Sequence, residues 1–395
     1  MYFSRCLFLG ASLIGSSVSL SLVPSDVASV KSALKIAADN LMGFYNFAPV
    51  GVLPSPYWWW ESAGLFGGMI EYWHYTGDST YNQAVAQALL SQLSPGNDFM
   101  MPSAEGNDDQ GWWALAAMGA AEYGLPNPGG PSWISVAQNV FNEFASRWDM
   151  TRCNGGMKWK IQPGADGYHY KSTIANGLAF QLAARLARFT GDPTYLDWAI
   201  NAYNWTQSVG LIDENFNVFD GTDDAKSTGC VDVNHDQWSY NVGAFMYGAA
   251  VLFDVTGDPL WSDRTAGLVG NAVATFFDGR IMYEKMCERQ GTCNVDQLSF
   301  KAYLARWMAG TANIIPSFQA AILPFLEASA EGAAKACTGG GNGQMCGSRW
   351  DIGKSDGSTG VGQQMAALDV MRGSLVIGAA KPIGARRRVR REFNA

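Results

Sequence analysis

"GLAFQLAARLARFTGDPTYLDWAINAY", Gly177 to Tyr203, decides the fold, because the chain says it three times. "GLFGGMIEYWHYTGDSTYNQAVAQAL" starts at Gly64 and "GAFMYGAAVLFDVTGDPLWSDRTAGLV" at Gly243. Each version has an apolar, small-residue helix, then Thr-Gly-Asp, then an aromatic three residues on (Tyr81, Tyr195, Trp261) inside a second helix. Gly ends a helix because it accepts the left-handed conformation, and the following Asp can cap the next one. Every unit is therefore an αα-hairpin with a tight turn.

The first helix of each hairpin is apolar nearly all round, which means burial on all sides. Segments of this kind begin near Ser62, Asp109, Thr173, Ser239, Ser299 and Gly360, at a repeat spacing that leaves room for an outer helix and a long connection. Six such hairpins predict an all-α (α/α)6 barrel, six inner helices inside six outer ones. Strand signals are sparse and lie in connections, as at "MKWKI" and "VFDG". A plain α-solenoid would carry more charged faces and fewer Trp-Gly loops.

In such a barrel the connections leading into the inner helices crowd one end. "SPYWWWESAG" (55–64), "NDDQGWW" (107–113), "GYHYKSTIANG" (167–177), "HDQWSYNVG" (235–243), "CNVDQLSFKAYLARW" (293–307) and "GSTGVGQQM" (357–365) are those connections. Five of the six combine aromatic with polar side chains, which describes a polar, aromatic-walled cleft suited to a sugar. The candidate substrate-binding residues are Trp58, Trp59, Trp60, Glu61, Asn107, Trp112, Tyr168, Lys171, Asn176, Trp238, Tyr240 and Lys301.

Asp108 and Asp109 are adjacent acids at the second of these helix starts, a position that by itself fits a helix start, a metal site or a catalytic pair. With Asn107 as N-cap and Gln110 completing a capping box, both would project into the cleft. Neighbouring indoles (Trp112, Trp113) and mutual repulsion raise their pKa values against the helix dipole, so one can stay protonated while the other ionises. Adjacent residues reach the ~5–5.5 Å carboxyl separation of retaining glycosidases more easily than the ~6.5–9.5 Å of inverting ones.

The chain has 395 residues, 16% charged and 13% aromatic, with 15 tryptophans and a net charge of −8. That balance gives no support to nucleic-acid binding. "MYFSRCLFLGASLIGSSVSLSLVPS" reads as a secretory signal peptide over residues 1–21, cleaved after Ser19 or Ser21. One catalytic domain over 22–378 and a solvated basic tail over 379–395, containing "RRRVRR", complete the expected organisation. Six cysteines remain after the leader. "CERQGTC" and "CTGGGNGQMC" form local loops, pairing Cys287 with Cys293 and Cys337 with Cys346, and Cys153 is left for Cys230. The competing reading, a zinc site, finds neither the usual spacings nor enough histidines. Asn204 opens the sequon Asn-Trp-Thr.

"NDDQGWWALAAMGAAEYG", "CNGGMKWKI", "YKSTIANGLAFQLAARLARFTGD", "WSYNVG" and "SFKAYLARW", in that order over about Val27 to Leu375, resemble the glycoside hydrolase family 76 α-1,6-mannanases. The resemblance is greatest to the family's fungal cell-wall branch. It implies an (α/α)6 barrel cleaving α-1,6-mannan with retention, with Asp108 as nucleophile and Asp109 as general acid/base. It implies no metal and no organic cofactor, and it suggests as substrate α-1,6-mannan or the mannose core of a glycosylphosphatidylinositol (GPI) anchor, with glucan as acceptor. Fungal members commonly end in a GPI signal. "LVIGAAKPIGARRRVRREFNA" contains no such tail, so secretion to the wall or cell surface as a monomer is expected and membrane association is left open. Two rivals stand beside this reading. One is an (α/α)6 epimerase or uronide hydrolase, the former leaning on His74, His169 or His235; the other is a non-catalytic mannan-binding wall protein.

Overall fold

The computed structural model describes residues 19–226 and 229–384. The expected leader, apart from its last three residues, and the basic run of the tail lie outside the described residues. Twelve α-helices are present among the described residues. The inner ring is α2 (Trp59–Thr76), α4 (Asn107–Tyr123), α6 (Thr173–Thr190), α8 (Ser239–Thr256), α10 (Gln297–Ile314) and α12 (Val361–Arg372). The outer ring is α1 (Val27–Met42), α3 (Asn82–Ser91), α5 (Trp133–Arg147), α7 (Pro193–Ser208), α9 (Pro259–Phe276) and α11 (Gln319–Ala336). Each inner helix packs against the next, and α12 returns to α2, closing an (α/α)6 barrel.

The inner helices begin within three residues of the expected positions. In α10 every residue from Ser299 to Ile314 is buried, whereas α5 buries only the stripe Trp133, Val136, Ala137, Val140, Phe141 and Phe144. That stripe has the one-sided period of a surface helix. Small residues set the spacing of the inner ring: a Cβ on Gly248 of α8 would sit 2.3 Å from the ring of Phe180 on α6.

The Thr-Gly-Asp turns repeat in detail. Gly77, Gly191 and Gly257 all take positive φ (80°, 75° and 69°). The preceding Thr hydroxyl donates back four residues at 2.6–2.7 Å and accepts the N–H of the Asp at 3.1 Å. Asp192 and Asp258 then cap α7 and α9, each with Pro at the first helical position.

One arrangement departs from six consecutive hairpins. The chain starts with an outer helix, so α12 finds its outer partner in α1, across the whole sequence. The ring thus closes between its first and last helices. The small β elements lie in the connections. β1 (Tyr170–Ser172), β2 (Gly221–Asp223) and β3 (Val233–Asn234) form an antiparallel sheet with Tyr170 opposite Asp223 and Gly221 opposite Asn234.

At the far end of the ring, buried ions tie the C-terminal halves of the inner helices. Arg185 meets Glu122 at 2.6 Å, and Arg372 meets Asp369 at 2.6 Å and Glu71 at 2.9 Å. Residues 379–384, expected in a free tail, instead close this end. Ile383 N donates to Glu122 O at 2.8 Å, Lys381 Nζ to Ile314 O at 2.7 Å, and Arg188 Nη1 to Pro382 O at 2.9 Å. Disulfides join Cys153–Cys230, Cys287–Cys293 and Cys337–Cys346.

Candidate active site

The start of α4 is built by a strand-like contact. Asn107 N donates to Trp159 O at 2.8 Å and Ile161 N to Glu105 O at 2.9 Å, so segment 105–107 runs antiparallel to 159–161. This moves the helix start back by one residue from the expected place. Gly106 is the N-cap, and Asp109, at N3, accepts the Gly106 N–H on Oδ2 at 2.7 Å. The expected capping pair is otherwise engaged. Asn107 Nδ2 donates to Lys158 O at 2.8 Å, and Gln110 donates to Asp98 O at 2.5 Å while accepting from Arg147.

Asp108 and Asp109 open onto a cleft of about 590 Å³ at the N-terminal end of the inner ring. Trp112 forms the floor, stacked under Trp60 with centroids 5.2 Å apart and parallel to Trp307 at 5.8 Å. Tyr240 and Phe300, stacked at 3.9 Å, make one wall, and Trp58 stands 59% exposed at the rim. Asp220 and Asp296 also line the cleft; Asp220 accepts the Tyr170 hydroxyl at 2.6 Å. The acids therefore outnumber the one lining cation, Lys160, which is itself paired with Glu105 at 3.1 Å. Such a surface accepts hydrogen bonds from hydroxyl groups and repels anions.

Burial pushes the carboxyls of this cleft upward. Asp108 is raised to about 8 and Asp109 to about 6, and for Asp108 the neighbouring charge of Asp109 adds to the effect. Trp159 Nε1 donates to Asp108 Oδ2 at 2.9 Å and Asp109 N to Asp108 Oδ1 at 3.1 Å, which opposes the rise. At neutral pH the pair holds one proton between two carboxyls. Burial also lifts Asp296 to about 6. A Cβ on Gly106 would lie 2.1 Å from Asp108 Oδ1 and 3.2 Å from Asp109 Oδ2, so these two oxygens are separated by no more than the sum of those distances. That bound lies below the ~6.5–9.5 Å separation of inverting carboxyl pairs.

Of the twelve residues assigned to substrate binding, Trp58, Trp59, Trp60, Trp112 and Tyr240 line the cleft. Trp59 is mostly core, 8% exposed, with its N–H on Gln92 Oε1 at 2.9 Å. The other seven do not line it. Glu61 is buried behind the aromatic rim, accepting the Trp58 N–H at 2.8 Å. Asn107 ties α4 to residue 158, as described. Lys171 is wholly buried, its ammonium on the Gly155 and Arg152 carbonyls at 2.5 and 3.0 Å and on Asp149 at 3.1 Å; it gathers the loop carrying Cys153. Asn176 pins Met157 by both its N–H and its carbonyl. Lys301 pairs with Glu288 at 2.9 Å over the Trp350 ring. Tyr168 lies under Lys158 at 4.8 Å, and Trp238 packs edge-on against Phe300. Polar residues near a helix start were read as cleft residues when they serve the connections behind it.

Trp159, Lys160, Tyr170, Asp220 and Asp296 were missed. They sit in the connections, and only the pairing of 159–161 with 105–107 brings Trp159 to Asp108. None of the three histidines lines the cleft. His169 is paired with Asp224 at 2.8 Å, His235 packs on Phe219, and His74 contacts Ala380 O at the opposite end. A histidine-based epimerase site is therefore excluded at this cleft, and its acidic lining disfavours a uronide. Asn204, in the sequon, is exposed on α7.

Comparison with known proteins agrees with the fold. The model of glycosyl hydrolase family 76 matches residues 29–386. Mannan endo-1,6-alpha-mannosidase DCW1 of Candida glabrata is 42% identical over 377 residues, 93% of this chain and 84% of that protein. The DCW1 protein of Saccharomyces cerevisiae is 42% identical over 354 residues, 87% of this chain and 78% of that protein. The crystal structure of Dfg5 from Chaetomium thermophilum, in complex with glucosamine, superposes with TM-score 0.88 at 38% identity, covering 92% and 94% of the two chains. An α-1,6-mannanase of Salegentibacter sp. HEL1_6 in complex with α-1,6-mannotriose shares the fold at TM-score 0.73 and 20% identity, covering 88% and 99%. With the barrel, the paired carboxyls and the aromatic cleft described, this chain belongs to glycosyl hydrolase family 76.

Proposed function

We propose that the protein is an endo-acting α-1,6-mannosidase of the fungal cell wall or surface, working by double displacement with retention. The observation that carries the reading is the carboxyl pair itself: two adjacent side chains, both raised by burial, sharing one proton above an indole floor. The substrate class follows from relatives at 42% identity named mannan endo-1,6-alpha-mannosidase. The excess of acceptor groups in the cleft fits a neutral polyol.

Asp108 attacks the anomeric carbon as Asp109 gives its proton to the departing glycosidic oxygen, forming a mannosyl ester on Asp108. Asp109, now ionised, takes a proton from the incoming hydroxyl, which displaces Asp108 and leaves the anomeric configuration retained. Water in this second step gives hydrolysis. A sugar hydroxyl gives transfer, so a GPI mannose core as donor and glucan as acceptor are the narrower form of the same proposal. Three disulfides and an N-terminal leader fit passage through an oxidising secretory route, and no helix among the described residues is long and apolar enough to cross a membrane.

The test is covalent labelling with an activated α-mannosyl fluoride. Asp108→Asn should form no intermediate, while Asp109→Asn should still form one because fluoride leaves without a proton. Equal loss in both variants, or full mannan processing by Asp108→Asn, contradicts the assignment, and a wild-type protein that binds mannan without processing it would be a binder. Products from α-1,6-linked manno-oligosaccharides, with and without a glucan acceptor, separate hydrolysis from transfer.

A further inference from the structure

Asp108 is gripped from outside its own helix by one side chain. Trp159 Nε1 donates to Asp108 Oδ2 at 2.9 Å, and the backbone N–H of Asp109 reaches Oδ1 at 3.1 Å, so each oxygen already receives an N–H. Asp109 is served differently. Its Oδ2 accepts from Gly106 N at 2.7 Å, and the donors that favour its anion, Gly106 and Glu105, are backbone groups. An indole N–H only donates. It stabilises a carboxylate and offers neither a base nor a readily transferred proton.

The indole is also fixed in place. Trp159 N donates to Tyr170 O at 2.6 Å, and its carbonyl accepts from Asn107 N at 2.8 Å, so its backbone is part of the pairing that starts α4. Lys160 Nζ lies 4.6 Å from the ring centroid. Against the ring lies Gly167, where a Cβ would come within 2.6 Å of it.

We propose that Trp159 is the positioning residue of the nucleophile: its indole N–H decides which of two adjacent carboxyls carries their shared proton, keeping Asp108 anionic and leaving the proton on Asp109. The proposal rests on the retaining reading given above. Burial raises both carboxyls, and the Trp159 hydrogen bond works against that rise at Asp108 alone. Other charged and titratable groups face the pair. Lys160 favours the anion of both acids, and Glu105 disfavours that of Asp109. Asp220, Tyr170, Asp296 and Tyr240 line the rest of the cleft. Trp159 is the only side chain among the described residues that donates a hydrogen bond to one member of the pair and not to the other.

Trp159→Phe in the full chain keeps the ring and removes the donor. Loss of a hydrogen bond to a charged group predicts kcat lower by about 10- to 100-fold, with KM within about twofold. Destabilising the Asp108 anion raises the summed proton affinity of the pair, so the bell-shaped pH profile should move to higher pH with a lower plateau. Even with α-mannosyl fluoride, Trp159→Phe should form the intermediate more slowly than wild type, because its defect lies in the nucleophile, whereas for Asp109→Asn this step needs no proton. Gly167→Ala, which presses on the ring from outside the cleft, should give the same displacement in smaller measure. Wild-type labelling rates in both variants, or an unmoved pH profile, overturn the proposal. A wild-type protein that never labels would instead sink the retaining reading and leave the positioning question without a nucleophile to act on.

Discussion

Gly106 faces Asp108 so closely that a Cβ on the former would stand 2.1 Å from a carboxylate oxygen of the latter. Its φ of −107° is open to any residue, so the glycine is required by proximity and not by backbone conformation. Gly106→Ala should displace Asp108 or the cap while the barrel stays folded. Misplacement on this scale costs up to ~10²-fold in rate. A kcat near wild type with an unchanged melting temperature would show that the carboxyl has room to move.

The tryptophans of the rim and floor should separate by function. Trp58, exposed at the rim, should weaken mannan-oligosaccharide binding when changed to Ala and leave the melting temperature nearly unchanged. Trp59, buried and bonded to Gln92, should cost ~3–5 kcal/mol of stability as Ala. Calorimetric titration beside thermal unfolding reads both, and the reverse pattern would move the sugar path away from Trp58.

Buried acids make stability depend on pH. Glu61 and Glu284 are raised to about 8 by burial, above their unfolded values. Between those limits the folded protein binds more protons than the unfolded chain, so their contribution, complete below the unfolded pKa, is lost as pH rises through about 8. The melting temperature should fall from pH 5 to pH 8.5, and Glu61→Gln should flatten that fall. A steeper slope in the variant would reverse the sign for Glu61.

The three disulfides should differ in worth. Cys153–Cys230 spans 77 residues and Cys287–Cys293 only 6. Closing the longer loop restricts the unfolded chain more, so replacing Cys153 and Cys230 with Ala should cost ~2–5 kcal/mol, the larger loss of the two. Denaturant unfolding of the two double variants provides the comparison.

The barrel was legible because burial on all sides leaves a signature in sequence: α8 and α10 are apolar or small nearly all round, where α5 buries one stripe. The hairpin turns were legible because Gly and Asp act locally, within two residues of their effect. The cleft was half legible. Asp108, Asp109 and Trp112 lie on the first turns of one helix, where spacing fixes their relation. Trp159 and Asp220 reach the cleft through irregular connections whose path depends on long-range pairing. Lys171 and Asn176 misled for the same reason: their partners, Gly155 and Met157, are set by how the disulfide loop folds back and not by the helix start they flank.

The seam between α1 and α12 has a consequence for biosynthesis. Helix α1, whose buried face includes Leu34, Ala37 and Leu41, packs chiefly against Val361–Arg372. A ribosome must therefore deliver nearly the whole chain before the ring can lock, and until then part of an oily face lacks its cover. Any message cut short ahead of Val361 yields a product missing one stave, with Tyr57 and Glu71 deprived of Val361 and Arg372, their partners across the joint. Completeness of synthesis is thereby written into one seam, and a truncated chain leaves bare an apolar surface that the finished one covers.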